Sequence, residues 1–172
     1  MEKILKYTKA NVCVKDKETG VILFKDSNLF VDSGRELIVN VFIGTVIMNP
    51  LYWACDLGDD SEEPDPEDND LAGYLDITGN GLGSVGVYPI QLAGEGSGVH
   101  FQFEFTNSTG SSQIIRELGL FYRPDPDITT TFPVRLPAPA SPGYMIARLK
   151  TTFSSITVGN GKVLTIDWKI IF

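Results

Sequence analysis

Between Val99 and Thr106 apolar and polar residues alternate without a break: Val99, Phe101, Phe103 and Phe105 against His100, Gln102, Glu104 and Thr106. Side chains of a strand point alternately to its two faces, so this pattern predicts a strand with one face in a core and one toward water. The C-terminal segment repeats it, with Leu164, Ile166, Trp168, Ile170 and Phe172 opposing Thr165, Asp167, Lys169 and Ile171. Ile4–Lys15 and Val21–Lys25 predict a hairpin, joined at Lys17-Glu18-Thr19-Gly20, where glycine can take the positive φ of a short turn. Leu29–Val31, Pro50–Leu57, Tyr74–Ile77, Val87–Leu92 and Gly143–Thr152 read as further extended segments. Gln113–Tyr122 is more continuously apolar and reads as one central strand. Thr78–Gly86 reads as a loose glycine-rich loop, and Asn107–Ser112 and Gly159-Asn160-Gly161 as turns.

One segment changes period. Leu37, Ile38, Val41 and Phe42 have helical spacing, Ser33 is a good N-cap, and Glu36 three residues later completes a capping box. Gly44 can end the helix. The expectation is one short α-helix near residues 34–43, stabilised by packing because its β-branched residues are poor helix formers.

With no tandem repeat or low-complexity linker, residues 1–172 read as a single domain. Its expected fold is all-β: an antiparallel β-sandwich of about eight to ten strands with that one helix. Two stretches interrupt it, an acidic loop at 58–70 and a proline-rich excursion at 124–142.

Composition adds two constraints. The net charge of −8 argues against nucleic acid, because phosphate contacts need Lys and Arg. No Lys or Arg occurs from Glu36 to Ile115, while eight carboxylates crowd residues 58–70, a solvated acidic loop. The first residues have no long apolar core, so no secretory leader is expected, and no apolar stretch reaches membrane-span length. Cys13 and Cys55 lie in apolar strand-like runs with no CxxC partner and read as free thiols, a disulfide between them remaining open.

Candidate chemistry is sparse. His100 is the single histidine, on a polar strand face, without a GxSxG elbow; it reads as an ordinary surface residue. Gly79-Asn80-Gly81-Leu82-Gly83 lacks the lysine and helix of a phosphate-binding loop. The acidic loop fails the calcium-loop pattern: counted from Asp65, its sixth position is Asp70 and its twelfth Asp76. No catalytic residue, metal site or cofactor is expected. The residue that stands out is Glu117, an acid in an apolar strand. If buried, it needs a cationic partner, and Arg35 or Arg148 could serve; the alternative is a solvent-facing edge.

The order of these segments resembles small structural proteins of tailed bacteriophages, including tail-collar-like and fibre-attachment domains and related virion β-sandwiches. The resemblance rests on the opening hairpin, on Asn28-Leu29 through Gly34-Arg35 with its helix, and on Trp53-Ala54-Cys55-Asp56-Leu57-Gly58 followed by Pro64, Asp70 and Leu71. It continues through Arg116-Glu117-Leu118-Gly119-Leu120-Phe121, then Ala147-Arg148 with Lys150, and the Trp168 strand. The acidity of the loop and the length of the proline-rich excursion depart from the pattern. The resemblance implies a non-enzymatic virion protein, assembled in the host cytoplasm. It would bind other capsid or tail proteins as a homo-oligomer, without nucleic acid or membrane. Capsid decoration or cement proteins and tail, neck or baseplate connectors both fit. A different class is a calcium-assisted carbohydrate-binding β-sandwich, in which Trp53, Tyr74, Tyr88 and Tyr144 stack on sugars. The remotest is a small hydrolase using His100.

Overall fold

The computed structural model describes residues 9–44, 53–73, 75, 82–86, 90–91, 98–122, 144–149 and 155–171. Among them are eleven strands and one helix: β1 (Lys9–Asp16), β2 (Ile22–Phe30), α1 (Asp32–Phe42), β3 (Trp53–Gly58), β4 (Leu82–Gly86), β5 (Ile90–Gln91), β6 (Gly98–Asn107), β7 (Gln113–Ile115), β8 (Glu117–Tyr122), β9 (Tyr144–Arg148), β10 (Ile156–Val158) and β11 (Val163–Ile171). Every strand pairing is antiparallel, and the fold is all-β with one short helix, as the sequence predicts. The strands exceed the expected eight to ten because the segment that reads as one strand, Gln113–Tyr122, divides into β7 and β8, and because β4 and the short β10 do not read as strands in the sequence.

One hydrogen-bonded path runs β3-β8-β9-β2-β1-β11-β6-β4, with β5 also on β6; β7 and β10 form a separate ribbon. Strand β2 is the hinge of this path. Its residues up to Asn28 pair with β1, and Leu29 and Phe30 pair with β9. The path rolls back on itself: Trp53 of β3 and Phe101 of β6, near opposite ends, have ring centroids 4.4 Å apart. The two halves thus face each other across one core, which holds Val12 and Val14, Phe101, Phe103 and Phe105, and the four apolar residues of β11 from Leu164 to Ile170. Burying each such side chain contributes about 1.5–3 kcal/mol.

The alternation at β6 and β11 is realised as expected. Other expectations are corrected. Residues 82–86 of the glycine-rich stretch form β4 on the edge of β6, because a backbone ladder needs free N–H and C=O groups rather than a side-chain pattern. The central strand breaks at Arg116: β7 leaves to pair with β10, while β8 runs between β3 and β9. The break has a cause, since the Arg116 N–H donates to the Gly58 carbonyl at 2.9 Å. Residues 124–142, the strand expected at Tyr74–Ile77 apart from Leu75, and residues 4–8 and 50–52 lie outside the described residues.

The helix starts earlier than its capping box implies. It begins at Asp32 with Val31 as N-cap in extended conformation, and no side chain caps it. The Val31 N–H bonds the Ile146 carbonyl at 3.2 Å, so strand pairing carries the chain to the turn before Ser33 is reached. Gly44, at φ 77°, closes the other end through its N–H to the Val41 carbonyl.

Candidate functional site

Strand β8 is buried on both faces, at every residue from Glu117 to Tyr122. Leu118, Leu120 and Tyr122 join the main core. On the opposite face Phe121 joins Val31, Leu71 and Met145 in a second, small core. That second core exists because the acidic loop folds back over the sheet and inserts Leu71.

Glu117 sits beneath the returning loop. Its carboxylate accepts the N–H groups of Ala72 and Gly73 at 3.1 and 2.7 Å, and a charge-assisted bond from Arg148 Nη2. Arg148 Nη1 reaches the other way, to Asp68 Oδ2 in the loop. Glu117 and Arg148 are both 2 % exposed or less. Isolating either charge at that depth costs several kcal/mol, which the mutual attraction and the added N–H donors offset. Two further bonds fasten the loop: the Asp32 N–H donates to the Pro66 carbonyl at 2.7 Å, and Arg116 donates to the Asp59 carbonyl at 2.9 Å. The exposed acids are therefore presented on an anchored loop. Gly58 makes the close packing possible, since a Cβ there would collide with the Gly73 carbonyl oxygen and the Glu117 carboxylate.

Of the two arginines considered for Glu117, Arg148 is the partner. Arg35 is not: it pairs with Asp32, one helical turn back on its own helix. Ser33 does not cap the helix; its hydroxyl donates to the Met145 carbonyl at 2.6 Å and ties the first turn of α1 to β9. Glu36 is exposed, with no capping role. Asp68 was not legible as a participant. The only hint was Leu71, an apolar residue closing an acidic run, which marks where such a loop must return to the core.

A second polar cluster lies on the outer face of β1, β11 and β6. Asp167, on the polar side of its strand, is nevertheless only 7 % exposed. Its Oδ2 accepts from Lys15 Nζ at 2.8 Å; its Oδ1 bonds His100 Nε2 at 2.9 Å and Gln102 Nε2 at 3.0 Å. Burial pushes the Asp167 carboxyl up, but the bonds from Lys15, Gln102 and His100 outweigh it and hold the group below the usual carboxylate value. The same bond holds the Lys15 ammonium above its ordinary value. Cross-strand register explains the meeting: Cys13 and Gln102 are the neighbours of Asp167 on β1 and β6, and Lys15 and His100 lie on adjacent diagonals. His100 is thus half-buried and bonded, not an ordinary surface residue.

Around this cluster the sheet face forms a basin of about 960 Å³. Cys13 borders it as a half-buried free thiol, and Cys55 is a free thiol in the core. Trp53, considered as a stacking platform, packs on Phe101 and Tyr122 and belongs to the core. The side chains of Tyr74, Tyr88 and Tyr144 lie outside the described residues. Among the described residues no group of three or more His, Cys, Asp or Glu is arranged to hold a metal ion, and no helix is long and apolar enough to cross a membrane. No family model matches the chain, and no curated protein or solved structure is significantly similar to it.

Proposed function

We propose that this chain is a non-enzymatic building block of a bacteriophage virion. It acts through protein–protein contacts as a capsid decoration or cement protein, or as a connector of the tail, neck or baseplate. The reading draws on the order of segments from the opening hairpin to the Trp168 strand. The structural observation that carries it is the tip of the β1–β2 hairpin, where Val21, Ile22 and Leu23 are 56 %, 54 % and 42 % exposed. Single exposed apolar residues need no explanation, but three in succession where the chain leaves the hairpin turn and enters β2 suit a contact with a neighbouring protein. The turn beneath them is well defined: Asp16 accepts the N–H and hydroxyl of Thr19, and the Gly20 N–H donates to the Asp16 carbonyl. A preformed contact element loses little entropy on binding. A homo-oligomer with other capsid or tail proteins around it would cover this tip.

Copy number per particle, measured by quantitative mass spectrometry of purified virions from the source, tests the reading. A stoichiometry near that of the major capsid protein supports a decoration protein. A few copies support a tail or neck connector. Absence from the particle removes the virion reading.

A further inference from the structure

We infer that the basin on the outer face of β2, β1, β11 and β6 is a binding site for a neutral polyhydroxylated ligand, a saccharide, with Asp167 as the buried hub that positions its donors and acceptors. This inference goes beyond the assembly role and does not depend on it.

Three observations carry it. The first is shape: the outer sheet face carries a half-open depression of about 960 Å³, room for a small ligand. The second is the hub. A carboxylate on the solvent side of a strand ordinarily stays in water, yet Asp167 is nine-tenths buried and takes bonds from three different side chains. A carboxylate only accepts, so His100 Nε2 carries the proton and, in the neutral ring, Nδ1 remains an acceptor. Gln102 keeps its carbonyl oxygen and one N–H, and Lys15 keeps two N–H groups. The hub thus fixes the positions of a mixed set of donors and acceptors, extended by Asn11 and Ser27 on the rim.

The third observation is charge and surface type, which select the ligand class. The lining holds Lys15, Lys25 and Lys169 against Asp26 and Asp167, so the formal balance is three minus two, or +1, with His100 neutral. That is too little for an anion trap in a chain of net charge −8. The lining includes no aromatic ring for stacking apart from the imidazole, and Ile171 is an apolar residue within it. Sugar hydroxyls both donate and accept, matching the mixed set, while the C–H face of a pyranose suits Ile171.

The test is two-dimensional amide NMR of the full chain, titrated with millimolar galactose, mannose, N-acetylglucosamine and rhamnose, and separately with inorganic phosphate. The expected result is saturable shifts confined to the amides around Asn11, Cys13, His100, Gln102 and Asp167 with at least one sugar. They should be lost in Gln102→Ala and Asp167→Asn and kept in Glu63→Gln on the distant acidic loop. Because Asp167→Asn removes a buried hub and can unfold the sheet, Gln102→Ala with an otherwise native spectrum is the deciding variant. Saturable shifts with phosphate alone, sugar shifts scattered over the surface, or sugar binding unchanged in Gln102→Ala would each overturn the inference. So would the absence of any saturable response.

Discussion

Arg148 reaches Glu117 diagonally across the β8–β9 ladder: it stands opposite Gly119, two residues along from Glu117, and holds Asp68 of the acidic loop with its other guanidinium nitrogen. One buried cation therefore joins two strands and a loop. Replacing Arg148 by Met leaves Glu117 buried with only two N–H donors, and should destabilise the fold by about 3–5 kcal/mol in urea titration. The double variant Glu117→Leu/Arg148→Met should lose clearly less than the sum of the two single variants. Additive losses would mean that the pair is not coupled.

Gly58→Ala forces the loop off its seat. Its Cβ has nowhere to go between the Gly73 carbonyl and Glu117, so a loss of about 1–3 kcal/mol is expected, typical of overpacking. The same variant should be cut faster than the parent by a glutamate-specific protease at Glu62 and Glu67. Unchanged protease resistance would show that the loop is held by something other than this packing.

Stability should fall on acidification partly through Asp167. Its folded carboxyl lies below the unfolded value of 3.8, so between the two the unfolded chain binds more protons and stability rises with pH. This contribution is complete above the unfolded value and is lost as pH falls through the folded one. Asp167→Asn should flatten that part of the acid limb of the urea midpoint against pH. At the alkaline end Lys15, held above 10.5, contributes below that value and stops contributing as pH rises through its folded value. The Asn variant should lose that effect as well.

Asn107 is fully buried and ties two turns together. Its Nδ2 donates to the carbonyls of Ser111 and Val158 at 2.8 and 2.7 Å, and its Oδ1 accepts from the N–H and hydroxyl of Thr109. Asn107→Ala should cost about 1–3 kcal/mol for each buried group that water does not reach, measured as a drop in Tm and urea midpoint. Asn107→Asp should also be harmful, since a carboxylate cannot donate to the two carbonyls.

The hairpin tip separates assembly from folding. Val21→Ser with Ile22→Ser and Leu23→Ser removes exposed apolar surface and should change stability by no more than about 0.5 kcal/mol per substitution. If the tip is a contact element, incorporation into particles, or the oligomeric mass by light scattering, should fall. An unchanged mass and unchanged incorporation would remove the tip from the assembly surface.

By itself, the sequence determined the all-β class, the hairpin at Gly20, the inward faces of β6 and β11, and the presence of one helix. All of these follow from local periodicity and turn chemistry, which are written in neighbouring residues. It also showed that Glu117 needs a partner if buried, because an acid amid apolar residues cannot be left alone there. Choosing Arg148 over Arg35 required the strand order, which places β9 beside β8 and leaves Arg35 on its own helix with Asp32. The capping box at Ser33 and Glu36 was overruled in the same way, by pairing of Val31 with Ile146 across sequence-distant strands. Asp167 is the sharpest case: its alternation marks it as solvent-facing, and only the side-by-side placement of β1, β11 and β6 brings Lys15, His100 and Gln102 over it. Periodicity tells which face of a strand a residue occupies, whereas burial and partners depend on which strands lie alongside, a long-range choice made by the packing of the whole core.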